Sequence, residues 1–84
     1  LGDTNSGEEK SILLIQGFRG CEKFIDYYLK IHSFPKEIFL VEGEYNIIAE
    51  IEYEDYESFK KLVSELCKLH EISKITILNV KNLS

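Results

Sequence analysis

The stretch from Tyr45 to Tyr53, YNIIAEIEY, constrains the fold of this chain more than any other. Ile47, Ala49, Ile51 and Tyr53 recur at every second position and form one wholly apolar set. Asn46, Ile48, Glu50 and Glu52 fall between them. A period of two describes a strand with one face in a core and a mixed face opposite. Just upstream, Lys36 to Glu42 reads KEIFLVE, with Ile38 and Leu40 pointing one way and Phe39 and Val41 the other. Gly43-Glu44 separates the two runs. So short a connection makes the two strands antiparallel neighbours.

The same units appear on each side of this pair. Before it, Ser11 to Gly17 reads SILLIQG, an apolar run closed by glycine that suits a central strand covered on both faces. From about Cys21 to His32, the residues Cys21, Phe24, Ile25, Tyr28 and Leu29 recur at helical spacing. Glu22 and Lys30 lie at the helix ends that the dipole favours. Pro35 ends the helix and biases Phe34 to extended geometry. After the pair, Asp55 is the expected N-cap of a helix reaching about Leu69, with Phe59, Leu62, Val63, Leu66 and Cys67 as its stripe. Ile72 to Val80, ISKITILNV, is the last strand. Leu1 to Lys10, LGDTNSGEEK, reads as a flexible tail or linker, which leaves 11–81 as one domain.

Two strand-helix-strand units in tandem define an α+β fold, the ferredoxin-like split βαβ sandwich (βαββαβ). Its four-stranded antiparallel sheet has the order 4-1-3-2, and right-handed crossovers put both helices on one face. The other face carries large apolar residues such as Ile48 and is expected to meet another subunit. With 84 residues, a chain of this kind buries only about 60–65% of its surface on folding, so association would add stability.

Charge and composition exclude several classes. The net charge is −5 and the sequence holds a single Arg, Arg19. Binding to nucleic acid requires clustered cations that displace phosphate counterions, so this chain is not expected to touch nucleic acid directly. An RNA-recognition surface would also need aromatics on the central strands, and the first strand has none. No apolar run is long enough for a membrane-spanning helix, and no secretory signal pattern opens the chain. Cys21 and Cys67 fall on helix stripes and read as buried thiols, which suits a cytoplasmic protein.

No catalytic set emerges. His32 and His70 sit at helix C-terminal ends, where a cation is favoured. Neither cysteine has the base and orienter that nucleophilic catalysis needs. Paired metal ligands of C-x-x-C or H-x-x-x-H type are lacking, so neither a metal nor a cofactor is expected. The acidic residues Glu50, Glu52, Glu54, Asp55 and Glu57 read as a solvated edge. One enzyme alternative stays open. Small acylphosphatases share this topology and use an Arg in the first loop with an Asn on the third strand, here Arg19 and Asn46.

From Ile12 to Val80 the chain resembles the effector-binding domain of the Lrp/AsnC transcription regulators, also called the RAM domain. Val41-Glu42-Gly43-Glu44-Tyr45-Asn46-Ile47-Ile48-Ala49-Glu50-Ile51 is similar to that family's V-x-G-x-Y-D turn and the alternating strand after it. Leu66, Leu69 and Ile72 match an L-x-x-L-x-x-I/V-like run near the end of the second helix. The resemblance implies a ferredoxin-like domain that forms a homodimer or higher oligomer. It implies binding of an amino acid or similar small effector at a subunit interface, near the glycine turn. By the same resemblance, the effector controls assembly, and DNA is read by a separate helix-turn-helix domain. This chain would then be an excised C-terminal domain or a stand-alone version able to assemble with full-length relatives. Asn46 stands where the family carries Asp. Ile75 and Ile77 stand where its last strand carries Thr, with Thr76 facing the other way.

The expected effector-binding residues are therefore Gly43, Glu44, Tyr45, Asn46 and Thr76. Gly43 permits positive φ and close approach. Turn amides can hold a carboxylate, and Glu44 or the Asn46 side-chain oxygen can accept from an ammonium. A hairpin in which Gly43 only turns the chain and Tyr45 only packs is the competing account of the same residues. Three functions remain: an effector-binding regulatory module, a pure dimerisation domain without ligand, and an acylphosphatase-like hydrolase.

Overall fold

A computed structural model describes residues 9–33 and 35–81. Its elements are β1 (Glu9–Gly17), α1 (Glu22–His32), β2 (Pro35–Leu40), β3 (Ile47–Tyr53), α2 (Tyr56–Cys67) and β4 (Ile72–Asn79). The strands form one antiparallel sheet in the order β2-β3-β1-β4, which is the ferredoxin-like arrangement. β1 begins at Glu9, inside the stretch expected as tail. The rest of that tail and the expectation for Phe34 lie outside the described residues.

Register shows which side chains share a face. In β1, Leu13 and Ile15 lie opposite Ala49 and Ile47 of β3. All four are fully buried beneath Ile25 and Leu29 of α1 and Phe59, Leu62 and Leu66 of α2. Both helices therefore cover the same sheet face. Each such Leu, Ile or Phe side chain contributes about 1.5–3 kcal/mol by leaving water. Ser11 is the buried polar residue on this face. Its hydroxyl donates to Asn79 Oδ1 at 2.9 Å, so the 2.9 Å contact with Tyr53 is donated by the phenol.

The opposite face has no covering layer among the described residues. Ile12 and Leu14 of β1, Ile48 of β3, Phe39 of β2 and Leu78 of β4 share it by register. Phe39 and Leu78 are each 47% exposed.

The helices depart from the expected stripes at their margins. Cys21, Ile25 and Leu29 face the core, whereas Phe24 is 40% exposed at the rim. Cys67 is exposed, contrary to the expectation of a buried thiol. It is the last residue of α2 and lies about 80° around the helix from Phe59, past the stripe that Leu62 and Leu66 define. α2 also ends before Leu69. Lys68 N donates to Glu65 O at 3.1 Å and Leu69 N to Leu66 O at 3.1 Å, so the last turn tightens to i−3 spacing. At its start, Asp55 caps the helix as expected, with Oδ1 accepting from Glu57 N at 3.1 Å and Oδ2 from Ser58 Oγ at 3.0 Å.

Candidate functional site

The hairpin connection is wider than the sequence suggests. β2 ends at Leu40 and β3 begins at Ile47, so Val41, Tyr45 and Asn46 belong to the loop rather than to strands. Val41 N donates to Asn46 O at 3.0 Å and closes the loop at its base. Gly43 at its tip has φ +128°, a conformation that L side chains rarely adopt. A Cβ there would meet no atom within 4 Å, so the glycine serves the backbone path and leaves the space beside it open.

Asn46 anchors the loop. Its N–H donates to Ile15 O at 2.9 Å. Its side-chain Oδ1 accepts from Gly17 N at 2.7 Å, and Nδ2 donates to Glu22 Oε2 at 3.2 Å. One residue thus joins the loop, the end of β1 and the first turn of α1.

Anchored in this way, Tyr45 reaches across β1. Its hydroxyl lies 3.1 Å from Thr76 Oγ1 on β4, and Lys74 Nζ lies 6.0 Å from its ring centroid. Thr76 pairs with Leu14 and Lys74 with Gln16, which places both on the uncovered face. Lys74 Nζ also lies 3.9 Å from Glu44 Oε2. Glu44, Tyr45 and Thr76 are thus brought together, and the structure adds Lys74. Gly43 stays at the tip. The Asn46 amide turns away from this group, towards Glu22.

The arrangement presents one cation, one carboxylate and two hydroxyls beside apolar sheet residues. That set matches a zwitterion: a carboxylate opposite Lys74 and the hydroxyls, and an ammonium opposite Glu44. The Lys74–Glu44 pair is exposed, so it holds its geometry weakly without a ligand or a neighbouring surface, whereas the Tyr45–Thr76 bond is partly buried. Ile75 packs on the core and Ile77 points to the same side, so the two isoleucines stand on the face away from this group.

Two other regions bear on function. A cleft of about 580 Å³ lies at the far end of the sheet, lined by His32, Tyr53, Asp55, Phe59 and neighbours. Residues 43–46 and Thr76 do not line it. Of its carboxylates, Glu52 is paired with Lys36 at 3.3 Å and Asp55 caps α2. In the hydrolase comparison, Arg19 is exposed before α1, while the Asn46 amide is held against the Glu22 carboxylate. An acidic group beside Asn46 disfavours an anionic acyl phosphate there.

No protein-family model and no curated protein matches the chain. Solved structures do. FFRP-DM1 superimposes with a TM-score of 0.77 at 22% identity, over 87% of this chain and 99% of that one. A transcriptional regulator of Neisseria meningitidis, solved as a complex with L-Met, gives 0.67 at 13% identity over 88% of this chain. E. coli AsnC gives 0.64 at 15% identity over 89%. This chain spans 50% and 52% of those two proteins, about half their length. At such identities the likeness establishes the fold. The proteins that share it include AsnC, from which the resembled family takes part of its name. No described helix is long and apolar enough to cross a membrane.

Proposed function

We propose that the chain is the regulatory module of an Lrp/AsnC-type transcription regulator. It binds an amino acid or similar small effector at a subunit interface and thereby controls its own assembly in the cytoplasm. One observation carries this reading: Tyr45, Thr76, Lys74 and Glu44 converge beside the Gly43 loop, on a sheet face that the chain itself leaves uncovered. The L-Met complex of the Neisseria regulator supports the ligand class. Full-length relatives are partners of the same kind as a second copy.

The test is a screen of the free amino acids, followed by melting temperature and light scattering. A supporting amino acid shifts one or both readouts, and Lys74→Ala removes the shift. Indifference to every amino acid at millimolar concentration overturns the effector reading. The uncovered apolar face favours one second reading, an assembly domain without ligand. That domain would be a stable dimer or larger oligomer whose size no amino acid changes.

A further inference from the structure

We infer that Asn46 and Glu22 form a positioning pair that sets Tyr45 against Thr76, and that the amide at position 46 is required because Glu22 faces it. The functional meaning of the pair rests on the site proposed above, but its geometry does not. Position 46 is tied at four atoms: its N–H to Ile15 O, its O to Val41 N, its Oδ1 to Gly17 N and its Nδ2 to Glu22 Oε2. The first three bonds ask for a donor, an acceptor and an acceptor, and an aspartate would satisfy them all. The fourth asks for a donor, because the Glu22 carboxylate can only accept. An amide meets that demand, and a carboxylate would set two negative charges within hydrogen-bond distance.

The consequence reaches the site through the chain. Tyr45 is the preceding residue, and its ring spans β1 to Thr76 with no other hydrogen bond to hold it among the described contacts. Its path is therefore fixed by how firmly Asn46 is held. Glu22 lies in the first turn of α1, so the same bond links the loop to that helix. Asn46 thus acts through Tyr45, with its amide committed to Gly17 and Glu22.

The experiment uses Asn46→Asp, Glu22→Gln and the double variant, read by melting temperature and by the NMR cross-relaxation between the Tyr45 ring and the Thr76 methyl. The aspartate variant is expected to melt below the parent and to lose most of the Tyr45–Thr76 signal while still folded. Glu22→Gln in that background restores both, because the new amide donates to the new carboxylate. Glu22→Gln alone stays close to the parent, since its side-chain oxygen still accepts from Asn46. Two results overturn the pair: an aspartate variant equal to the parent in both readouts, or losses that Glu22→Gln leaves unrepaired. A purely structural role would lower the melting temperature and leave the Tyr45–Thr76 signal intact, which also overturns it. Neither readout involves an effector, so failure here is separate from failure to find one.

Discussion

Gly17 shows how one residue without a side chain fixes local geometry. A Cβ on it would lie 2.5 Å from Glu71 O and 2.6 Å from Cys21 Sγ. The backbone of the α2–β4 connection closes over it, and Phe18 N donates to the same Glu71 oxygen at 3.0 Å. Gly17→Ala therefore has to displace main chain as well as a buried thiol. The expected loss is about 1–3 kcal/mol of unfolding free energy by urea titration. An unchanged midpoint would mean that the 68–72 segment yields freely. The two thiols should also differ sharply. Cys67 is exposed and Cys21 is 4% exposed, so a thiol reagent should modify one cysteine quickly and the second only as the chain opens. Two equal fast phases would contradict the packing at Cys21. Burial raises the Cys21 pKa most and the Glu22 carboxylate raises it further; a backbone hydrogen bond opposes them, and Glu71 adds a lesser push upward. The unfolded thiol thus ionises first. The stability contributed by the neutral thiol is complete below its ordinary pKa and is lost as pH rises through the raised value. A Cys21→Ala variant should lose less stability over that alkaline range than the parent does.

The elements follow local chemistry closely, and α2 offers the cleanest test. Asp55 is extended at φ −121° and satisfies Glu57 N, one of the N–H groups that a helix start leaves free. Asp55→Ala should cost about 1 kcal/mol in thermal or urea unfolding. Asp55→Asn should recover most of it, because the amide oxygen still caps. Equal losses in both variants would point to the carboxylate charge instead. This cap was legible in the sequence, as were all six elements and the strand order, because periods of two and of 3.6 seldom compete over such clean stretches. Boundaries were less legible. Tyr45 and Asn46 continue the alternation of β3 on paper, yet Asn46 spends its side chain on Gly17 and Glu22, which periodicity does not encode. Cys67 matches helical spacing, but it comes at the end of α2, where the chain begins to tighten. At the candidate site, Gly43 to Asn46 were visible as a motif. Lys74 was not, because its approach to Tyr45 depends on β4 lying beside β1. Pairing the predicted strand order with the last strand's alternation would have placed Lys74 and Thr76 on one face and revealed it.

At the scale of the whole molecule, the uncovered sheet face decides what the chain is in solution. Its centre is Ile12, Leu14 and Ile48, with Phe39 and Leu78 on the flanking strands. Three ion pairs lie on it within the chain, Lys10 with Glu50 at 3.5 Å, Lys36 with Glu52 at 3.3 Å and Lys74 with Glu44 at 3.9 Å, while Glu37, opposite Glu50 in register, stands outside them on the edge strand β2. An apolar centre rimmed by such pairs can be buried without stranding an ion provided that Glu37, on the edge strand, stays in solvent at the rim. A second copy of the same face meets these conditions through a two-fold axis, on which every contact occurs twice. The parent protein is thus expected to be a dimer or larger at micromolar concentration, with a melting temperature that rises as the protein is concentrated. Ile48→Glu should reduce the light-scattering mass to that of one chain. The helix-side core does not include Ile48, so the circular dichroism of the variant should remain that of the folded parent. A parent that is already a monomer, or a variant with the parent's mass, would place the assembly surface elsewhere. In the first case the site at Tyr45 and Thr76 would have to work within a single subunit.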